Sequence, residues 1–140
     1  MKSIEINIEG KEIVFKQNDE YWIANILFDS NEITFEVYHE KIDVIKIRSI
    51  LAYVGTPKFF ALKSEAEKML ELLGMSFWKN EHQKCLFEFN GFVIEPHESS
   101  ELDFQLCYSL TLASSNYSDY ANWVVDIWAQ KIVGVRREQL

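Results

Sequence analysis

Isoleucines at positions 4, 6 and 8 alternate with Glu5 and Asn7, the period-two pattern of a strand with one buried face. Glu9-Gly10 breaks the pattern, and Ile13 and Phe15 resume it. Glycine takes positive φ without strain, so a tight hairpin is expected there. Tyr21 to Phe28 is a longer apolar run, and Asp29-Ser30-Asn31 is a turn cluster. Ile33, Phe35 and Val37 then alternate with Thr34, Glu36 and Tyr38. Residues 1–39 therefore predict four strands in a meander.

The period changes after residue 40. Val44, Ile47, Leu51 and Val54 recur at helical spacing with Ile50 beside them, and Gly55-Thr56-Pro57 stops the run. Lys41-Ile42-Asp43-Val44 also alternates among dense β-branched residues, so a strand reaching about Arg48 competes with the helix. Ser64-Glu65-Ala66-Glu67 fits a capping box, after which Ala66, Met69, Leu70 and Leu73 share one face. Gly74 suits a left-handed closing residue. Whether this helix starts at Ser64 or already at Pro57 is open on pattern alone.

From residue 75 the period returns to two. Cys85 to Phe89 and Phe92 to Ile94 flank Asn90-Gly91, a strong hairpin signal between apolar runs. Glu95 to Glu101 reads as a polar connection, Leu102 to Leu112 as a long strand, and Ser114 to Tyr120 as a polar loop. Trp123 to Trp128 and Lys131 to Arg137 predict a terminal hairpin around Ala129-Gln130. Trp123 and Trp128 differ in parity, so they point to opposite faces of that strand. The elements predict an α+β fold in one domain, residues 1–140. Its order is ββββ-α(α)-βββββ, with one or two helices packed on one face of a mainly antiparallel sheet. Parallel neighbours need a long crossover, and only the helical middle offers one.

Composition narrows the class. The chain has 140 residues, is 48% hydrophobic and 14% aromatic, and has five glycines and two prolines, which excludes disordered and collagen-like chains. No apolar run approaches the ~18 residues of a membrane-spanning helix. Charges interrupt the N-terminal isoleucines, so a secretory signal is not expected and cytoplasmic residence is. Two cysteines, Cys85 and Cys107, in strand-like stretches read as buried free thiols rather than a disulfide framework. The formal charge is −8. Residues 1–45 carry 4 basic and 10 acidic side chains, residues 46–94 carry 7 and 5, and residues 95–140 carry 3 and 7. An acidic strand region argues against a nucleic-acid partner and for a basic protein partner.

Candidate chemistry is sparse. Glu95, Glu98, Glu101 and Asp103 gather around His97 and form an anionic patch suited to steering a basic partner. Tyr117, Asp119 and Tyr120 lie in a loop rich in Tyr, Ser, Asn and Asp, the mixture of adaptable recognition surfaces. An eleven-residue strand spans roughly 35 Å, so the two loops sit at opposite ends of Leu102–Leu112. A two-residue turn at Asn90-Gly91 would set Cys85 opposite Pro96 and gather His82, Cys85, His97 and Glu98, which are legitimate zinc ligands. That spacing is far weaker than paired Cys-x-x-Cys motifs, and no metal or cofactor is assigned. Cys85 with His97 and Glu98 could also be drawn as a nucleophile triad, but no nucleophile elbow, P-loop or Gly-x-Gly-x-x-Gly accompanies it, and no catalytic residue is assigned. The leading expectation is a protein-binding module, in concrete form an immunity- or antitoxin-type inhibitor that occludes a basic effector. The alternative is a small-molecule-binding or enzymatic domain with a pocket between sheet and helices. A homo-oligomer pairing sheet faces or edges is a third reading.

Overall fold

The computed structural model describes residues 2–8, 10–78, 85–95, 103–112 and 117–139, with Tyr117 described by its backbone alone. The N-terminal meander consists of β1 (Ser3–Ile8), β2 (Lys11–Asn18), β3 (Tyr21–Phe28) and β4 (Asn31–Val37). Its turns lie where the small and polar residues predict them. Gly10 has φ +80° and donates its amide to the Asn7 side-chain oxygen, while Asp29 and Ser30 are both left-handed.

Two helices follow, α1 (Val44–Val54) and α2 (Pro57–Phe77). Asp43 caps α1 by accepting from the Lys46 amide at 3.1 Å. The strand alternative over residues 41–48 therefore loses to a capped amphipathic helix that buries Ile47, Ile50, Tyr53 and Val54. Thr56 caps α2, accepting from the Phe59 amide at 3.3 Å, and Pro57 occupies the first helical position. The proposed capping box is thus interior to a 21-residue helix. Ser64 is exposed, and Glu67 turns sideways, accepting from Lys63 at 2.5 Å and from the Tyr108 hydroxyl at 2.8 Å. Gly74 does not end the helix either. A Cβ there would meet Cys85 Sγ and Phe87 Cζ at 3.1 Å, so its smallness serves close packing of α2 on the sheet.

The remaining strands are β5 (Cys85–Ile94), β6 (Phe104–Leu112), β7 (Tyr117–Ser118), β8 (Ala121–Trp128) and β9 (Lys131–Gln139). The nine strands of the described residues form one sheet, ordered β1-β2-β3-β4-β5-β6-β8-β9, with the short β7 attached to β6. Every pairing is antiparallel except β4 with β5, and the helices provide the crossover between those two. The order is the predicted α+β arrangement.

Asn90-Gly91 corrects the hairpin reading. Both residues lie inside one continuous strand, as a bulge between Phe89, opposite Tyr108, and Gly91, opposite Cys107. An Asn-Gly pair suits a bulge as well as a turn, because both need backbone that glycine adopts freely. The buried run Phe92-Val93-Ile94 decides between them by pairing with β4 on one side and β6 on the other.

Both helices pack on one sheet face. Phe59 sits 6.0 Å from Phe92 and 6.2 Å from Phe104 by ring centroids, Tyr53 meets Phe104, and Phe77 meets Trp123 edge-on. Trp123 is buried and Trp128, of opposite parity, is 46% exposed. Among the described residues no helix is long and apolar enough to cross a membrane.

Candidate functional site

The strand register assigns the two faces. Ile6, Phe15, Ala24, Phe35, Phe92, Leu106 and Val125 lie under the helices, and Lys16, Ile23, Glu36, Val93, Gln105 and Asp126 form a row across the other face. Alternation places Glu5, Glu12, Lys16, Glu32, Glu36, Glu88 and Asp126 on this helix-free side. Glu5 and Glu12 are diagonal neighbours there, and the Glu12 carboxyl is held above its ordinary value by hydrogen bonding to Glu5 and then by the like charge.

At one end of this face, the β2–β3 turn and the segment leaving β4 enclose a groove of about 530 Å³. Gln17, Asp19, Glu20, Tyr38, His39 and Glu40 line it. Left-handed backbone at Asp19 closes the turn and sets its carboxylate beside Glu20. Tyr38 is stacked on Tyr21 at 5.0 Å and donates its hydroxyl to Glu36 at 3.1 Å. Burial first, and then the Glu36 charge, pushes the Tyr38 hydroxyl well above the ordinary phenol range, so it remains a donor. The carbonyl of Glu95 can only accept, so His39 Nε2 carries the proton in their 3.2 Å contact. Trp22 Nε1 donates to the Glu40 carbonyl at 3.3 Å and fixes the far wall. No lysine or arginine lines this groove among the described residues.

A second cavity opens where β4 and β5 diverge. Their ladder is confined to Thr34–Val37 and Gly91–Ile94. Upstream of it lies a cleft of about 360 Å³ lined by the acids Asp29, Glu32 and Glu88 and the aromatics Phe28, Phe87 and Phe89. The cation in its lining, Lys63, is already held by Glu67 and lies 4.8 Å from the Phe89 ring centroid.

The residues singled out by sequence scatter over different environments. Glu95 is half-buried and adjoins the first groove through His39. Asp103 is 7% exposed and accepts from the Ala129 amide, which fixes the left-handed β8–β9 turn. Asp119 is 8% exposed; it accepts two bonds from Arg137, at 2.7 and 2.8 Å, and one from Trp123 Nε1 at 2.9 Å. The Arg137 hydrogen bonds hold the Asp119 carboxyl below its ordinary value against the opposing effect of burial. Two carboxylates of the anticipated recognition loops are thus committed inside the fold. Tyr120 is 74% exposed. Tyr117 contributes backbone to β7, and Glu98 and Glu101 lie outside the described residues.

The register that would gather a metal cluster is absent, because Cys85 faces Leu112 across the sheet rather than Pro96. His82, His97 and Glu98 lie outside the described residues. Both cysteines are free. Burial, with Glu36 next, pushes the Cys107 thiol up to about 12, and burial also raises Cys85. Neither is a thiolate at neutral pH, so neither is poised as a nucleophile.

The sequence reading missed the groove residues Asp19, Glu20, Tyr38, His39 and Glu40. Their only sequence signal was the turn-forming character of Asn18 to Glu20 and the polar segment after Val37. No family model, curated protein or solved structure matches the chain.

Proposed function

We propose that this chain is a protein-binding module that docks a basic partner through its acidic grooves. The observation that carries this reading is that carboxylates line two cavities among the described residues, Asp19, Glu20 and Glu40 in one and Asp29, Glu32 and Glu88 in the other. Such concave anionic surface steers cationic partners and fixes their orientation. Tyr38 supplies a rigid aromatic anchor beside the first groove, where a partner side chain can be desolvated. An inhibitor that covers a basic effector is the concrete form of this function. The small-molecule alternative requires space between sheet and helices, and around Phe59 that interface is closed by ring contacts from Phe28 to Phe59 and Phe92 and from Phe104 to Phe59 and Phe92.

The test compares proteins retained from the native host by the wild type and by the triple variant Asp19→Asn/Glu20→Gln/Glu40→Gln at low salt. A basic protein held by the wild type and lost from the variant supports the reading. Identical retention on both, or retention of acidic proteins alone, overturns it.

A further inference from the structure

The gap between β4 and β5 permits a more specific statement, which rests on the docking reading above. A parallel pair that extended further would fill this space with its own ladder. Here the ladder stops at Thr34 and Gly91, the bulge at Asn90 turns β5 away, and Thr34 Oγ1 donates to the Asn90 carbonyl at 3.4 Å at the vertex. Strand residues direct their amide and carbonyl alternately to either side, so each lip of the gap offers backbone hydrogen-bonding groups that this ladder does not use.

The two sides of the gap differ in chemistry. Glu32 pairs with Leu27 and Glu88 with Ser109, which places both carboxylates on the helix-free face. Phe28 and Phe89 lie on the helix face and meet edge-on with centroids 5.6 Å apart. Asp29 also lines the cleft. An occupant in the plane of the sheet therefore meets carboxylates on one side and aromatic rings on the other. The protein already seats a cation on one of these rings, the Lys63 ammonium over Phe89, and neutralises it with Glu67. The cleft's carboxylates are left with no cation in the lining besides Lys63.

We propose that this cleft receives an arginine side chain of the basic partner. A guanidinium is planar, carries five donors and is weakly hydrated, so it can stack on an aromatic wall while its edges bond carboxylates and backbone carbonyls. An ammonium is a compact, strongly hydrated charge that cannot span both walls in that way. The cleft thus selects arginine over lysine.

The test is a titration of isotope-labelled protein with N-acetyl-arginine methylamide, followed by amide shifts, with the lysine and norleucine analogues as comparisons. The arginine analogue is expected to shift Asn31, Glu32, Phe87, Glu88 and Phe89 saturably, with Kd on the order of 1 mM. Lysine is expected to bind more weakly and norleucine not to saturate. Glu32 and Glu88 are exposed, so Glu32→Gln/Glu88→Gln should keep the melting temperature while weakening the arginine analogue by about tenfold. Absence of saturable shifts at these residues, equal binding of the norleucine analogue, or no loss in the double variant overturns the proposal. Failure here is separable from failure of the docking reading. A partner lost from the Asp19/Glu20/Glu40 variant but retained by the Glu32/Glu88 variant leaves docking intact and removes the arginine seat.

Discussion

A Cβ placed on Gly91 would lie 2.0 Å from the backbone oxygen of Thr34, so β5 reaches β4 only because residue 91 has no side chain. This contact joins the meander to the rest of the sheet through the parallel pairing, and it marks the vertex of the aromatic cleft. Gly91→Ala must push the two strands apart. It is expected to cost about 3 kcal/mol or more, read as a lower urea midpoint. A change within about 0.5 kcal/mol would contradict the geometry.

Asp119 illustrates why charge in a sequence does not reveal where it acts. Its side chain is 1% exposed and is engaged by Arg137 and Trp123, and Arg137 in turn stacks on Phe77 at 4.6 Å. Asp119→Asn leaves the guanidinium without its carboxylate and is expected to destabilise by about 2–4 kcal/mol. The Asp119 carboxyl is lowered on folding, so its contribution is complete above the ordinary aspartate value and disappears as pH falls through the folded one. The melting temperatures of wild type and variant should therefore converge in acid. A constant gap down to pH 2 would refute this assignment.

Gln105 is 2% exposed, and its amide nitrogen has no hydrogen-bond partner among the described residues. A buried unpartnered donor costs free energy that an apolar residue of similar shape avoids. Gln105→Met is expected to stabilise by about 1 kcal/mol, a rise of roughly 2–4 °C in Tm. A fall in Tm would show that the amide is satisfied.

The alkaline limb of stability follows from groups that resist deprotonation. Burial raises Tyr38, Cys107 and Tyr108, with Glu36 adding to the first two and Glu67 to the third. Each contributes stability that is full below its unfolded value and is lost as pH climbs through the folded one, which for Cys107 is about 12. Stability should therefore decline from about pH 9 upward. In native protein at pH 8 both thiols should resist a disulfide reagent that labels them at once after unfolding. Rapid labelling of native Cys85, which is 4% exposed, would contradict its burial, whereas Cys107 is only half-buried.

Much of the fold is legible in the sequence because its elements are local. The alternation in residues 4–37 specifies the meander, and the requirement for a long crossover identifies the helical segment as the link between parallel strands. What misleads is residue chemistry with two uses. Asn90-Gly91 suits a turn and a bulge, Ser64 to Glu67 suits a cap and an interior salt bridge, and Gly74 suits a terminus and a close approach. Only contacts distant in sequence separate these uses. The first groove is illegible for the same reason. It joins Gln17 to Glu20 with Tyr38 to Glu40, and no spacing motif links a turn to a strand exit. The anticipated acidic loops were conspicuous by density of charge, yet Asp103 and Asp119 find internal donors, which composition cannot reveal.

The most direct measurement is the hydrogen-exchange footprint of the partner retained by the wild type. The account predicts slowed exchange at residues 17–20, 29–32, 36–40 and 88–95, diminishing as salt is added. A salt-insensitive footprint confined to the exposed apolar side of α2, at Met69, Leu72, Leu73 and Met75, would contradict it.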